Sequence, residues 1–217
     1  KKHSILFGVD STFSTPALLR PLEYGADITM HSTTKYISGH NQIIGGVLIT
    51  NDDELNEKFK FIQKSVGAVP SPFDCWLTQR SIKTLHLRMP RHDENGRAVA
   101  KYLNECNKIK KIYYPGLKEN PQYELAKKQQ LDPAGDPGFG AMISIDLESF
   151  DRAVKFIEKL QIFTLAESLG GVESLICHPA KMTHASISKQ KREEIGISDG
   201  LLRISIGIED VSDLIDD

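Results

Sequence analysis

The stretch "HSTTKYISGH", residues 31–40, places a single lysine, Lys35, among hydroxyl groups and histidines. Upstream lies the apolar run "ILFGV" (5–9), which is followed by an acid, Asp10, and downstream lies "GGVLIT" (45–50). Short apolar runs bounded by turn-forming residues are typical of buried strands. The sequence therefore predicts that Lys35 lies on a short polar connection between two buried strands.

The rest of the chain alternates similar runs with helical patterns. The run "GADITMHS" (25–32) predicts a further strand, and strands that are apolar throughout favour a sheet covered on both faces. The segment 71–89 predicts a helix that begins with Ser71 as its N-cap and Pro72 in its first turn. "LLRISIGIE" (201–209) alternates as a half-buried strand does. The remaining predicted elements are helices over 52–67, 92–107 and 149–160, strands over 108–116 and 138–147, and a loop over 131–138.

Length and composition exclude several classes of protein. The 217 residues are enough for one large domain or two small ones. A net charge of −2 gives no indication of a nucleic-acid or membrane partner, and no apolar run approaches the ~20 residues of a membrane span. The three cysteines and the histidines lack metal-binding spacing, so we predict no metal site. Unpaired, widely spaced cysteines favour a reducing, cytoplasmic location.

The chemistry of Lys35 depends on its surroundings. On position alone, a surface lysine with its amine in water is the simpler interpretation. A desolvated lysine, however, loses its proton near neutral pH and forms a Schiff base with an aldehyde. The hydroxyls of Ser32, Thr33 and Thr34 suit phosphate oxygens, and an aldehyde with a phosphate describes pyridoxal phosphate. This cofactor also needs a carboxylate at its pyridine nitrogen, for which Asp10 is a candidate, although alone it indicates only a turn or cap.

Six blocks of sequence, in this order, resemble one family of enzymes. Together they are similar to the pyridoxal-phosphate (PLP) dependent enzymes of cysteine and methionine metabolism, the trans-sulfuration family. The resemblance runs over nearly the whole chain. The blocks are "VDSTFSTP" (9–16), "GADITMHSTTKYISGH" (25–40), "SPFDCWLTQRSIKTLHLRM" (71–89), "TLAESLGGVESL" (164–175), "MTHASI" (182–187) and "LLRISIGIED" (201–210).

The resemblance implies an α/β fold of the aminotransferase-like PLP type, fold type I. Residues 1–105 would form the C-terminal half of the large PLP-binding domain with connecting helices, and residues 106–217 the small C-terminal α+β domain. Because the chain starts without methionine and ends early in a possible helix, we expect that the front of a longer protein is absent. A complete small domain is the alternative. The family also implies a homotetramer built from catalytic dimers.

The resemblance assigns five residues to the cofactor. Asp10 matches the aspartate that pairs with the pyridine nitrogen, and Thr12 matches a residue near the ring. Ser32 and Thr34 match residues that hold the phosphate. Lys35 matches the lysine that forms the Schiff base and then moves protons along the substrate.

The resemblance assigns three more residues to a small amino-acid substrate. Arg203 matches the arginine that binds the substrate carboxylate, a role for which a bidentate guanidinium is suited and a lysine is not. Without the resemblance, a solvated strand charge is the preferred interpretation of Arg203. Ser168 matches a residue that contacts the substrate and the lysine. Glu167 matches a position associated with γ- rather than β-chemistry.

Within the family, the sequence most resembles the cystathionine γ-lyases, which convert cystathionine to cysteine, 2-oxobutyrate and ammonia by γ-elimination. The cystathionine γ-synthases, which join cysteine to an activated homoserine, and the methionine γ-lyases are the alternatives. A protein of a different class, a non-catalytic scaffold that keeps the fold without the cofactor, is a further alternative. The presence of Asp10, Ser32, Lys35 and Arg203 together argues against it.

Overall fold

The computed structural model describes residues 5–217, which form two β-sheets with helices packed around them. Elements are numbered in chain order. The strands are β1 (Gly8–Asp10), β2 (Ile28–Ser32), β3 (Gly46–Ile49), β4 (Lys111–Tyr113), β5 (Met142–Asp146), β6 (Thr164–Leu165), β7 (Leu175–Cys177) and β8 (Leu201–Ser205). The helices are α1 (Thr15–Leu18), α2 (Asp53–Val66), α3 (Pro72–Ile82), α4 (Leu85–Glu105), α5 (Tyr123–Gln129), α6 (Phe150–Ile157), α7 (Lys189–Glu194) and α8 (Val211–Asp216).

The first sheet has the order β1-β2-β3, with β1 parallel to β2 and β2 antiparallel to β3. Its strands are shorter than predicted. For example, β1 begins only at Gly8, and residues 5–7, which are exposed, lie outside it. The expectation of a sheet covered on both faces is wrong for β3, all of whose residues are exposed. Among the described residues, no layer covers that strand. The apolar character of β3 therefore does not reflect burial within this chain.

Two helices start at side-chain caps, of which the sequence predicts the one at Ser71. The Asp52 side chain accepts a hydrogen bond from the Leu55 amide at 2.9 Å and starts α2, which ends at Gly67 in the left-handed conformation. The Ser71 hydroxyl accepts from the Asp74 amide at 3.1 Å and starts α3. These caps satisfy amides that have no partner inside the helix.

The predicted break between two helices at residue 90 is wrong. The chain breaks instead between α3 and α4, and α4 continues through Pro90. A proline in a helix removes the hydrogen bond to the carbonyl four residues earlier, here that of His86. His86 is an exposed residue, and the helix continues past the proline.

The second sheet has the order β4-β5-β8-β7-β6, with β8 antiparallel to both of its neighbours. Side chains of this sheet pack against α4, α6 and α8 in the main hydrophobic core. The sequence predicts a half-buried strand over 201–209, and Leu202 and Ile204 do lie in the core. Ser205, on the opposite face, is buried as well, so β8 is covered on both faces near its end.

Large apolar side chains remain exposed around α2 and α3. Trp76 is 50 % exposed and Cys75 is partly buried. Phe61, Val66 and Phe73 are exposed on the same two helices. In the part of the chain that the structure describes, no helix is both long and apolar enough for a membrane span.

Replacement of Leu202 by alanine tests the position of the main core. Leu202 is fully buried, so Leu202→Ala is expected to lower the free energy of unfolding by about 2–5 kcal/mol. Leu125→Ala is the matched control, because half of that side chain is exposed, and we expect it to cost less than about 1 kcal/mol. Urea unfolding of the three proteins measures the difference. Equal costs for the two variants would contradict the assignment of the core.

Candidate active site

The segment Thr33–Ile37, called here the lysine turn, follows β2 directly. Lys35 has φ −92° and ψ −134°, so the helical path of the turn is interrupted at this residue. Two backbone bonds close the turn, from the Ser38 amide to the Thr33 carbonyl at 3.0 Å and from the Gly39 amide to the Lys35 carbonyl at 2.8 Å. Because the backbone is not helical at Lys35, its side chain leaves the turn in a different direction from the side chains of the adjacent residues.

Asp10 lies at the carboxyl end of β1, beside the carboxyl end of the parallel strand β2. One oxygen of its carboxylate accepts a hydrogen bond from the Thr12 amide at 3.0 Å. The hydroxyl of Thr12 in turn accepts from the Ser32 amide at 2.8 Å. The two loops are thus tied together at the edge of the sheet where α/β proteins bind ligands.

The hydroxyls of Ser32 and Thr34 differ in what they already contact. The Thr34 hydroxyl donates to the Gly45 carbonyl at 3.3 Å and accepts from the Gly45 amide at 2.9 Å. Thr34 therefore fixes the segment that leads into β3. The Ser32 hydroxyl has no hydrogen-bond partner among residues 5–217, which leaves it available for a ligand.

Lys35 meets two of the predicted substrate residues. Its Nζ donates to the Ser168 hydroxyl at 3.4 Å, although 133 positions separate the two residues. Burial lowers the pKa of the Lys35 amine, and the positive charge of Arg203 lowers this pKa further. Both effects disfavour the charged ammonium, as expected for a lysine that forms a Schiff base.

Arg203 lies on β8, and its guanidinium reaches the loop before β7. The Nη2 group donates to the Glu167 carbonyl at 2.6 Å and to the Ser168 carbonyl at 3.3 Å. Glu167 thus contributes its backbone to this contact, while its side chain is exposed.

Cys177 is the cross-strand partner of Arg203. Its thiol is buried. Burial raises the pKa of the thiol, and the nearby guanidinium lowers it in part. A buried thiol with a raised pKa is typical of a structural cysteine and not of a reactive one.

The lysine turn is held in place by buried packing contacts that its sequence pattern did not indicate. The Tyr36 ring is fully buried and meets the His92 ring edge-on, with centroids 5.1 Å apart. Gly170, at φ +76°, lies against Tyr36, because a Cβ at this position would come within 2.7 Å of the Tyr36 amide nitrogen. The close approach brings the loop that carries Ser168 to the lysine turn.

The histidines near the turn are part of the packing. His31 is buried in β2, and its pKa is lowered by burial despite the opposing effect of the Asp10 carboxylate. His40 contacts the Ser38 carbonyl through Nδ1 at 2.5 Å. Among the described residues, no group of three His, Cys, Asp or Glu side chains is placed to hold a metal ion.

Residues 1–217 match the family described as "Cys/Met metabolism PLP-dependent enzyme". The chain belongs to this family. Its relatives include a cystathionine beta-lyase of Lactococcus lactis subsp. cremoris (strain MG1363), 51% identical over all 217 residues, and a cystathionine gamma-lyase of Bacillus subtilis (strain 168), 50% identical over the same length. A cystathionine gamma-synthase of Mycobacterium tuberculosis (strain CDC 1551 / Oshkosh) is 50% identical over 210 residues, or 96% of this chain. The chain spans about half the length of these relatives, 56%, 56% and 52%.

Solved structures confirm the predicted fold class, fold type I. The cystathionine gamma synthase from Xanthomonas oryzae pv. oryzae, in complex with aminoacrylate and cysteine, superposes with a TM-score of 0.93 at 48% identity. The cystathionine gamma-lyase from Lactobacillus plantarum, complexed with L-serine, gives a TM-score of 0.93 at 42% identity. Each comparison covers 100% of this chain and 55% of the other.

Family membership implies pyridoxal 5′-phosphate as the cofactor, and the residues present fit it. Lys35 supplies an amine whose pKa is lowered, Asp10 a carboxylate at the ligand-binding edge of the sheet, and Ser32 a hydroxyl without a described partner. Amine, carboxylate and hydroxyl are the groups that an aldehyde, a pyridine nitrogen and a phosphate require.

His92 makes the stability of the protein sensitive to acid. Burial lowers its pKa from 6.5 to about 4, and Nδ1 donates to the Ile206 carbonyl at 2.8 Å. As the pH falls through 6.5, the unfolded chain binds a proton at His92, whereas the folded chain resists protonation until about pH 4. The stability present above pH 6.5 is therefore lost between pH 6.5 and 4, by on the order of 3 kcal/mol.

Urea unfolding across this pH range measures the effect. His92→Asn keeps a donor for the Ile206 carbonyl and removes the titrating group, so the slope of stability with pH is expected to decrease. His31, whose pKa is also lowered, leaves a residual slope. His86→Asn, at an exposed position of α4, is the control and is expected to keep the full slope. An unchanged slope in His92→Asn would show that other groups cause the acid sensitivity.

Proposed function

We propose that this chain carries the lysine-bearing part of a PLP-dependent trans-sulfuration enzyme that cleaves cystathionine by γ-elimination. The products are cysteine, 2-oxobutyrate and ammonia. One observation supports the proposal above the others. The Lys35 amine lies 3.4 Å from the Ser168 hydroxyl, and the backbone of the Ser168 loop accepts hydrogen bonds from Arg203.

Lys35 is proposed as the general base. With its pKa lowered by burial and by Arg203, more of the amine is neutral near neutral pH and able to take up the α proton of a substrate. The Ser168 hydroxyl accepts a hydrogen bond from Nζ and so orients the amine. The flexible lysine side chain then returns the proton to other atoms of the substrate.

Arg203 is proposed to bind the carboxylate of the amino-acid substrate. Its two bonds to backbone carbonyls fix the plane of the guanidinium. A planar guanidinium held in place by its neighbours binds a carboxylate through parallel hydrogen bonds. The same positive charge that lowers the pKa of Lys35 thus attracts the substrate.

Asp10, Thr12, Ser32 and Thr34 are proposed to hold the cofactor with Lys35. When bound, pyridoxal phosphate supplies an electron sink for the negative charge that develops at the α carbon of the substrate. The Asp10 carboxylate stabilises a protonated pyridine nitrogen, and the Ser32 hydroxyl binds phosphate oxygens. Thr12 and Thr34 act mainly by fixing the Ser32 amide and the Gly45 backbone.

The resemblance of Glu167 to a family position associated with γ-chemistry is the basis for choosing γ-elimination in this proposal. The alternatives have support of their own, because relatives named cystathionine beta-lyase and gamma-synthase are as similar to the chain as those named gamma-lyase. Products discriminate among the three. γ-Elimination of cystathionine yields cysteine and 2-oxobutyrate, whereas β-elimination yields homocysteine and pyruvate. A synthase instead joins cysteine to an activated homoserine.

The assembly and location of the protein are further parts of the proposal. A homotetramer of catalytic dimers is supported by the exposed apolar side chains of Phe61, Val66, Phe73 and Trp76, which a subunit contact would cover. A division near residue 105 into two domains is supported by the two separate sheets. Free thiols at all three cysteines support the cytoplasm.

Replacement of the lysine tests whether the site is catalytic. In the full-length protein, Lys35→Ala is expected to abolish the visible absorbance of bound cofactor and to lower turnover of L-cystathionine by more than about 10²-fold, because the base and the covalent attachment are both lost. Lys58→Ala, at an exposed position of α2, is the control and is expected to retain both signals. A Lys35→Ala protein that retains colour or turnover would refute the assignment, and a colourless native protein would favour the scaffold.

Replacement of the arginine tests carboxylate binding. Arg203→Lys keeps the charge but loses the planar pair of donors, so kcat/KM is expected to fall roughly 10- to 100-fold, mainly through a higher KM. Arg152→Lys on the exposed surface of α6 is the control. Steady-state kinetics over a range of substrate concentrations separate KM from kcat. An unchanged KM in Arg203→Lys would place carboxylate binding elsewhere.

A further inference from the structure

The block 71–89 contains a buried arginine that the proposed reaction does not use. Arg88 is 5% exposed and lies in the first part of α4. Its Nη1 donates to the Tyr36 carbonyl at 2.7 Å, and its Nη2 donates to the Ile37 carbonyl at 3.2 Å and the Ser81 carbonyl at 3.0 Å. Nε donates to the Thr84 hydroxyl at 3.1 Å.

All four acceptors of the Arg88 guanidinium are neutral oxygens. Burial lowers the pKa of Arg88, which reflects the cost of placing a positive charge away from water. A guanidinium nevertheless remains protonated in proteins, so the charge is present. Burying a charge without a carboxylate partner costs free energy, which the four hydrogen bonds offset in part. Such an arrangement suggests that these bonds have a role at the place where they are made.

Two of the four bonds end on the lysine turn. The carbonyls of Tyr36 and Ile37 directly follow Lys35, whose φ and ψ interrupt the helical path. The other two bonds end at the α3–α4 junction, on Ser81 and Thr84. Arg88 thus connects the backbone that follows the lysine to the start of the longest helix.

The backbone at Gly39 supports the same interpretation independently. This residue has φ +65°, and a Cβ at this position would overlap Nη1 of Arg88. Both the conformation and the space require glycine here. The exit of the lysine turn is therefore shaped around the guanidinium.

We propose that Arg88 is a positioning residue for Lys35. It holds the two peptide groups after the lysine, so that Nζ keeps its position beside Ser168 while the side chain moves. The inference rests on the proposed function, in which Lys35 attacks an aldehyde and transfers protons. A displacement of a reacting group by about 1 Å costs on the order of 10²-fold in rate.

The first experiment measures attachment of the cofactor in the full-length protein. Arg88→Met removes the donors, and Arg88→Lys keeps the charge with fewer donors. Borohydride reduces the bond between Lys35 and the aldehyde to a stable secondary amine, so the amount attached at a given time can be measured by mass spectrometry. We expect the rate of attachment to Lys35 to fall on the order of 10²-fold in Arg88→Met. Arg88→Lys is expected to restore part of this rate.

The matched control is Val99→Ala, a buried position of the same helix that packs against the second sheet. It lowers thermal stability without contacting the lysine turn, and we expect its attachment rate to stay within about 2-fold of the native rate. An attachment rate in Arg88→Met that equals the Val99→Ala rate at similar thermal stability would overturn the proposal. If Arg88→Met does not fold, the same comparison is made with Arg88→Lys, and a native rate in that variant overturns the proposal.

A second measurement does not depend on the cofactor. Hydrogen exchange of the cofactor-free protein reports the Ser38 and Gly39 amides, which close the lysine turn. We expect both to exchange at least about 10-fold faster in the Arg88 variants relative to amides of the second sheet, because only the turn is released. Unchanged relative protection of the two amides would refute the proposal that Arg88 holds the lysine turn. A native protein that fails to attach cofactor, with the turn released in the variants, would refute the proposed function alone.

Discussion

The burial of Tyr36 is the constraint on which the site depends. Its ring is fully buried, and it belongs to a cluster with Leu18, Leu85, Met89 and Leu169. Because adjacent residues of a turn point in different directions, a tyrosine held in the core leaves the preceding lysine directed away from it. The position of a partly exposed amine is thus determined by the packing of its buried neighbour.

Helix α4 supports both halves of the site. Its Met89 and His92 contact the Tyr36 cluster, and His92 also bonds to the Ile206 carbonyl. Asn95, one turn further, donates to the Gly207 carbonyl at 3.1 Å and the Glu209 carbonyl at 2.9 Å. These bonds fix the segment that directly follows β8, the strand of Arg203. Helix α4 therefore helps to fix the positions of both Lys35 and Arg203.

Much of the fold and several site residues could be predicted from the sequence, because short stretches of sequence indicate them. The cap at Ser71 needs only the helix that follows it, and the order of motif blocks indicated the family and fold class. The roles of Asp10, Lys35 and Arg203 came from resemblance and remain proposals.

Other features depend on which parts of the chain meet in space, and these could not be predicted. Pro90 was expected to end a helix, but its effect depends on whether the carbonyl that it frees reaches water. Trp76 is half exposed, because an apolar helix face is buried only where another layer covers it. The burial of Cys177 and the two bonds from Arg88 to the lysine turn likewise arise from long-range packing that periodicity does not record.

The distance along the chain between Lys35 and Ser168 has a consequence for folding. A contact across 133 positions closes a long loop. Such contacts form slowly, because the chain loses the entropy of loop closure before the contact stabilises it. Lys35 follows a strand of the first sheet, whereas Arg203 lies on a strand of the second, and burial together with the charge of Arg203 lowers the pKa of the amine. Chemical reactivity at this lysine is consequently a property of the completed tertiary structure and not of the local sequence around it.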